Sequence, residues 1–154
     1  MNKKNNFALI LLDIIFLCIA VGAVSAYFIY NEKWIGLILI ILGIICLLSL
    51  KLFNINIKSV SPDIIFGLID NGILAIFALV GANIAGIIGA IIGGVVGNAI
   101  TDGIAGIFEG FMAEKLRKNK ISEKRTILSS AIGKMAGCLI GAGIVLSLSY
   151  LIIF

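Results

Sequence analysis

The sequence predicts an all-α integral membrane protein of about five transmembrane helices, with its N-terminus inside and its C-terminus outside. Three observations carry that expectation. Of 154 residues, 61% are hydrophobic and only 13% are charged. Mean hydropathy is +1.21, and several apolar runs reach the roughly 18 residues that mark a bilayer span. The basic residues also fall in alternate loops. A soluble domain carries about a quarter charged residues, so soluble enzymes and soluble binding modules are excluded. At about 20 residues per span, the length holds five or six helices and no separate aqueous domain.

The first span runs from Phe7 to Tyr30. Its start resembles a signal peptide, but the apolar stretch is too long for an h-region and no A-x-A site closes it. The second runs from Trp34 to Phe53, and these two spans occupy residues 1–60. The remaining 61–154 hold three helices. The first of them starts at Ser61-Pro62-Asp63, where a hydroxyl, a proline and an acid match the preferences of a helix N-terminus. From Ile64 to Met112 no proline or charged cluster interrupts the run. As one straight helix it would measure roughly 74 Å, more than twice the hydrocarbon thickness. It must turn back, and Gly81-Ala82-Asn83 is the most turn-like point. The third span is therefore Asp63 to about Val80 and the fourth about Gly86 to Ala113. The fifth, Thr126 to Phe154, follows a charged loop at 114–125.

Charge counting sets the orientation. Lys3, Lys4, Lys51, Lys58, Lys115, Arg117, Lys118, Lys120, Lys124 and Arg125 fall on one side and Lys33 alone on the other. Cytoplasmic loops collect Lys and Arg, which places the larger group inside. Tyr27, Tyr30 and Trp34 then form an aromatic belt at the outer surface. The 114–125 loop serves as a topology anchor near anionic lipid. The basic balance thus follows from membrane topology, not from nucleic-acid binding.

Small residues recur every fourth position at Gly89, Gly93 and Gly97, and again at Gly133, Gly137 and Gly141. Such ladders let another backbone approach closely. They serve either packing within one chain or a homodimer interface. Residues 70–77 loosely echo 101–108, a weak hint of an internal repeat. There is no His, and Cys18, Cys46 and Cys138 lie far apart in apolar runs. No soft-metal motif results, and each cysteine reads as a small buried hydrophobe.

The informative feature is charge inside the spans: Asp13, Asp70, Asp102, Glu109 and Lys134. A charge near the bilayer centre costs a few kcal/mol on insertion scales, so these groups must face protein or water. On the fourth helix Asn98, Asp102 and Glu109 fall within about 40° of one another. At about 1.5 Å per residue from the inner ends, Asp70 and Lys134 lie roughly 12 Å deep, Asp102 roughly 16 Å, Glu109 roughly 6 Å and Asp13 roughly 9 Å. Residues of three helices thus meet in the inner half of the membrane. Carboxylates with the amides of Asn71 and Asn98 and the Thr101 hydroxyl are hard ligands, suited to Ca²⁺, Na⁺, Mg²⁺ or protons. Asp70, Asp102 and Glu109 with Lys134 as an internal cation sum to minus two, the charge of one divalent or two monovalent cations. The competing reading is a salt bridge from Lys134 to a carboxylate that serves only helix assembly.

Asp70-Asn71, then Gly97-Asn98-Ala99-Ile100-Thr101-Asp102 with Glu109, then Gly133-Lys134 with Gly137-Cys138 and Gly141, resemble the transmembrane protein 65 family from about Phe66 onward. The resemblance implies sodium-dependent calcium efflux, since eukaryotic members belong to the mitochondrial inner membrane and are linked to Na⁺/Ca²⁺ exchange there. It marks Asp70, Asn71, Asn98, Asp102, Glu109 and Lys134, the set the charge argument reaches. The chain departs from those relatives in lacking an Arg/Ser-rich transit peptide and in having two additional N-terminal spans. Its Ile/Lys/Asn-heavy composition points to a prokaryotic cell membrane.

The expected function is a multi-pass, homodimeric cation transporter, a calcium extruder exchanging with sodium or protons. Asp70, Asp102 and Glu109 are the expected metal ligands, Asn71, Asn98 and Thr101 the neutral ones. No cofactor is expected beyond the transported Ca²⁺ and Na⁺, and no partner beyond lipid and a second copy. The alternative is a non-transporting membrane subunit that assembles with or regulates a transporter. An enzyme is not expected, because no His, nucleophile-base pair or metal motif is present.

Overall fold

The computed structural model describes residues 7–30, 34–52, 55, 57–118 and 126–153. Lys3, Lys4, Lys33, Lys120, Lys124 and Arg125 lie outside them, as do the side chains of Asp13, Lys58, Glu109, Lys115 and Arg117. The described chain is helical, without strands: α1 (Phe7–Tyr30), α2 (Ile35–Leu52), α3 (Ile57–Lys118) and α4 (Ile127–Ile153).

α3 has 62 residues, and its helical backbone breaks at Ala85 (φ −138°, ψ 26°) and Gly86 (φ 59°, ψ −138°). The Gly86 conformation is almost closed to residues with a Cβ. The reversal therefore falls at Ala85-Gly86, not at the expected Gly81-Ala82-Asn83, which is helical. Gly81 has a different task. A Cβ there would press on the Gly89 carbonyl, one at Gly93 would press on Phe77, and one at Gly97 would lie 2.9 Å from Leu74 Cα. Partners on the first arm fall in number as those on the second rise, so the two arms of α3 run antiparallel. The Gly89, Gly93, Gly97 ladder is the seam between them.

A second correction concerns the start of α3. The helix begins at Ile57, so Pro62 lies inside it and no acid occupies its first turn. Asp63 is not a cap at all: it is 2% exposed and faces α4. The start signal misled because Ser-Pro-Asp suits a first turn, whereas the helix has already begun at Ile57 and carries Pro62 inside it. At the far end the helix runs past Ala113 to Lys118.

α4 is the central helix. A Cβ on Gly133 would meet Asp63 Cβ at 3.1 Å, one on Gly137 would meet the Ile64 carbonyl carbon at 2.9 Å, and one on Gly141 would meet Leu68 Cα at 2.9 Å. Partner numbers rise together, so α4 is parallel to the first arm of α3. Its opposite face takes α2, where Gly36 meets Ser147 and Gly43 meets Ile140 in antiparallel order. Both glycine ladders are therefore closed within one chain. α4 starts with a reciprocal cap: Ser129 N donates to Thr126 Oγ1 at 3.1 Å, and Thr126 N donates to Ser129 Oγ at 2.9 Å, which pairs two otherwise orphaned donors.

The buried apolar core is Cys46, Leu50, Val60, Leu128, Ile132 and Ala136, at the end where α2 finishes and α3 and α4 begin. At the other end Trp34, which precedes α2, lies 6.5 Å from Tyr150 of α4, ring centre to ring centre. α3 and α4 are each long and apolar enough to cross a membrane. Their outer surfaces stay uncovered: Ile84 is 80% exposed, Ile87 81% and Ile107 74%. Exposure of one such side chain to water forgoes about 1.5–3 kcal/mol.

Candidate functional site

The site grows out of the arm-to-arm seam. Gly97 lets the arms approach, and one turn further along Thr101 is 3% exposed against the first arm. Its Oγ1 donates to Asp70 Oδ1 across the seam. The same hydroxyl lies 3.1 Å from the Gly97 carbonyl and 3.0 Å from the Asn98 carbonyl, within its own helix. Asp70 is half-buried, with Asn71 half-buried next to it.

Asp102 takes a different direction. It follows Thr101 by one residue, about 100° further round the helix, and is exposed. There Asn98 Nδ2 donates to Asp102 Oδ2 at 2.9 Å, an i to i+4 pair. The structure thus makes two polar units on the second arm, a seam unit of Thr101 with Asp70 and an outer unit of Asn98 with Asp102. Glu109 is expected on the outer stripe, but its side chain lies outside the described residues.

Lys134 comes from α4. Its Nζ lies 4.7 Å from the centre of the Phe66 ring, a cation–π contact. Gly67, the next residue of the first arm, brings that arm against α4: a Cβ there would lie 2.8 Å from Cys138 N and 3.1 Å from Cys138 Sγ. Lys134 and Cys138 of α4 therefore border the first arm at Phe66 and Gly67, about one turn short of Asp70.

Sequence reasoning missed two residues of this region. Asp63 is buried, and Ser130 Oγ donates to its Oδ1 at 3.0 Å. The signal was present in the spacing: Asp63 and Asp70 are seven residues apart, which puts them within about 20° on one helix face. Reading Asp63 as a cap hid it.

Chemically, each polar unit offers a few hard oxygens, short of the roughly six to eight that Ca²⁺ takes. Among the described residues no three His, Cys, Asp or Glu side chains gather as a metal site. Comparison with protein-family models, curated proteins and solved structures gives no match.

Proposed function

We propose that this chain is a multi-pass membrane transporter of small cations that expels Ca²⁺ in exchange for Na⁺ or H⁺. The observation that carries the reading is the Thr101 to Asp70 contact, which holds a carboxylate and a hydroxyl between two predominantly apolar arms. Such groups are costly in hydrocarbon and are found where an ion or proton passes. Asp70 is the central ligand, Thr101 and Asn71 are neutral ligands beside it, and Asp102, Asn98 and Glu109 extend the path along the second arm. The sequence resemblance to the transmembrane protein 65 family supports the same cations.

Five crossings fit the helix directions, with the two arms of α3 crossing separately between an inner N-terminus and an outer C-terminus. The exposed isoleucines then meet lipid tails, and the Trp34 and Tyr150 rings lie at the outer interface. Any homodimer contact uses a face other than the two glycine ladders, which are closed within the chain.

One observation favours the second reading, a membrane subunit that assembles with a transporter: the Asn98–Asp102 unit is exposed on an apolar surface, as a contact for another protein would be. Proteoliposomes separate the two. Purified protein that moves ⁴⁵Ca²⁺ in response to a Na⁺ or pH gradient is a transporter. Protein that does not, under any imposed gradient, is a subunit.

A further inference from the structure

Asp63 is a deeply buried acid on the same face of the first arm as Asp70, two turns and roughly 10 Å closer to the α3 N-terminus. It is 2% exposed. An ionised carboxylate at that depth is stable only beside a compensating charge as well as a hydrogen bond. The hydroxyl of Ser130 supplies the hydrogen bond. α4 carries one base, Lys134, placed one turn beyond Ser130. The Lys134 ammonium lies over Phe66, which is itself about one turn beyond Asp63 and one turn short of Asp70. A tethered cation thus lies over an aromatic ring whose place along the helix is between two acids of one face.

We propose that Asp63 is the resting counter-ion of Lys134, and that Lys134 passes between Asp63 and Asp70. With Lys134 at Asp63 the pair is neutral and Asp70 keeps its charge for an incoming cation. With Lys134 at Asp70 that charge is cancelled and the bound cation is released, while Ser130 continues to hold Asp63. The consequence for cations rests on the transport reading; the Asp63–Lys134 pairing does not. Asp63 is in this scheme a positioning residue: it acts on the site through Lys134.

The test uses the full chain in mild detergent as wild type, Asp63→Asn, Lys134→Gln and the double variant, read by thermal unfolding and by Ca²⁺ titration. Pairing predicts that each single variant melts lower and that the double variant recovers, and a single variant too unstable to purify beside a double variant that purifies reports the same coupling. Losses that simply add, or a double variant that cannot be purified, overturn it. For Ca²⁺, Asp63→Asn leaves Lys134 to Asp70 and weakens binding about tenfold, within the usual range for coupled sites. Adding Lys134→Gln restores wild-type affinity or better, an outcome that a merely structural Asp63 does not give. Unchanged affinity in Asp63→Asn overturns the movement of Lys134. Wild-type protein that binds no Ca²⁺ overturns the transport reading instead, and the unfolding cycle then decides the pairing alone.

Discussion

Thr101 and Asp70 tie the two arms of α3 together, the Thr101 hydroxyl donating to the Asp70 carboxylate across a seam lined by glycine. The contact is a fold element and, in the proposed transporter, a ligand pair. Thr101→Val keeps the shape and removes the donor, leaving the half-buried acid without that bond. Such a loss costs about 1–3 kcal/mol, so unfolding in detergent shifts to lower temperature. A variant as stable as wild type would remove the contact from the account.

The glycine ladders hold the chain's own helices. Gly93→Ala and Gly137→Ala place a methyl against the backbone of the facing helix and lower stability by about 1–3 kcal/mol through overpacking. Gly94 and Gly103 have open space where a Cβ would go, so Gly94→Ala is neutral or gains up to about 1 kcal/mol from helix propensity. Reversible unfolding of the four proteins checks the order. Equal effects at Gly93 and Gly94 contradict the assigned seam.

Gly86→Ala strains the reversal, because the φ of 59° and ψ of −138° are costly for a residue with a Cβ, by about 1–3 kcal/mol. Limited proteolysis near residue 86 should speed up in this variant and stay unchanged in Gly103→Ala.

Much of this architecture is legible in the sequence. The limits of α1, α2 and α4 follow from lysines, aromatics and the charged 114–125 loop, local signals that no tertiary contact needs to arbitrate. The reversal of α3 is not so placed. Gly81, Gly86 and Gly89 look alike as residues, and only the packing tells which lacks a Cβ for a close approach and which for its backbone angles. The site shows the same division. Depth along a helix brings Asp70 and Asp102 to within roughly 4 Å of one level, but that Thr101 and not Asp102 faces Asp70 depends on the arm-to-arm register. Asp63 was hidden because Ser-Pro-Asp imitates a helix start when the helix has already begun at Ile57.

The proposed five-crossing topology puts residue 31 outside and residue 120 inside. In a background without Cys18, Cys46 and Cys138, Asn31→Cys should react with an impermeant thiol reagent in intact cells, and Lys120→Cys only after permeabilisation. The reverse pattern inverts the map.

Cation choice tests the charge assignment. Asp102→Asn keeps the side-chain size and removes one charge, and Coulomb attraction scales with ion charge. Affinity should therefore fall further for Ca²⁺ than for Na⁺ in equilibrium titrations. An equal loss for both ions would argue that Asp102 acts through shape alone.

The most direct test of the central claim is Na⁺-driven ⁴⁵Ca²⁺ flux through proteoliposomes containing wild type, Asp70→Asn or the loop control Glu123→Gln. The account predicts that wild type and Glu123→Gln transport alike and that Asp70→Asn, reconstituted to the same level, loses nearly all flux. Asp70→Asn protein that carries ⁴⁵Ca²⁺ as fast as the control would contradict it.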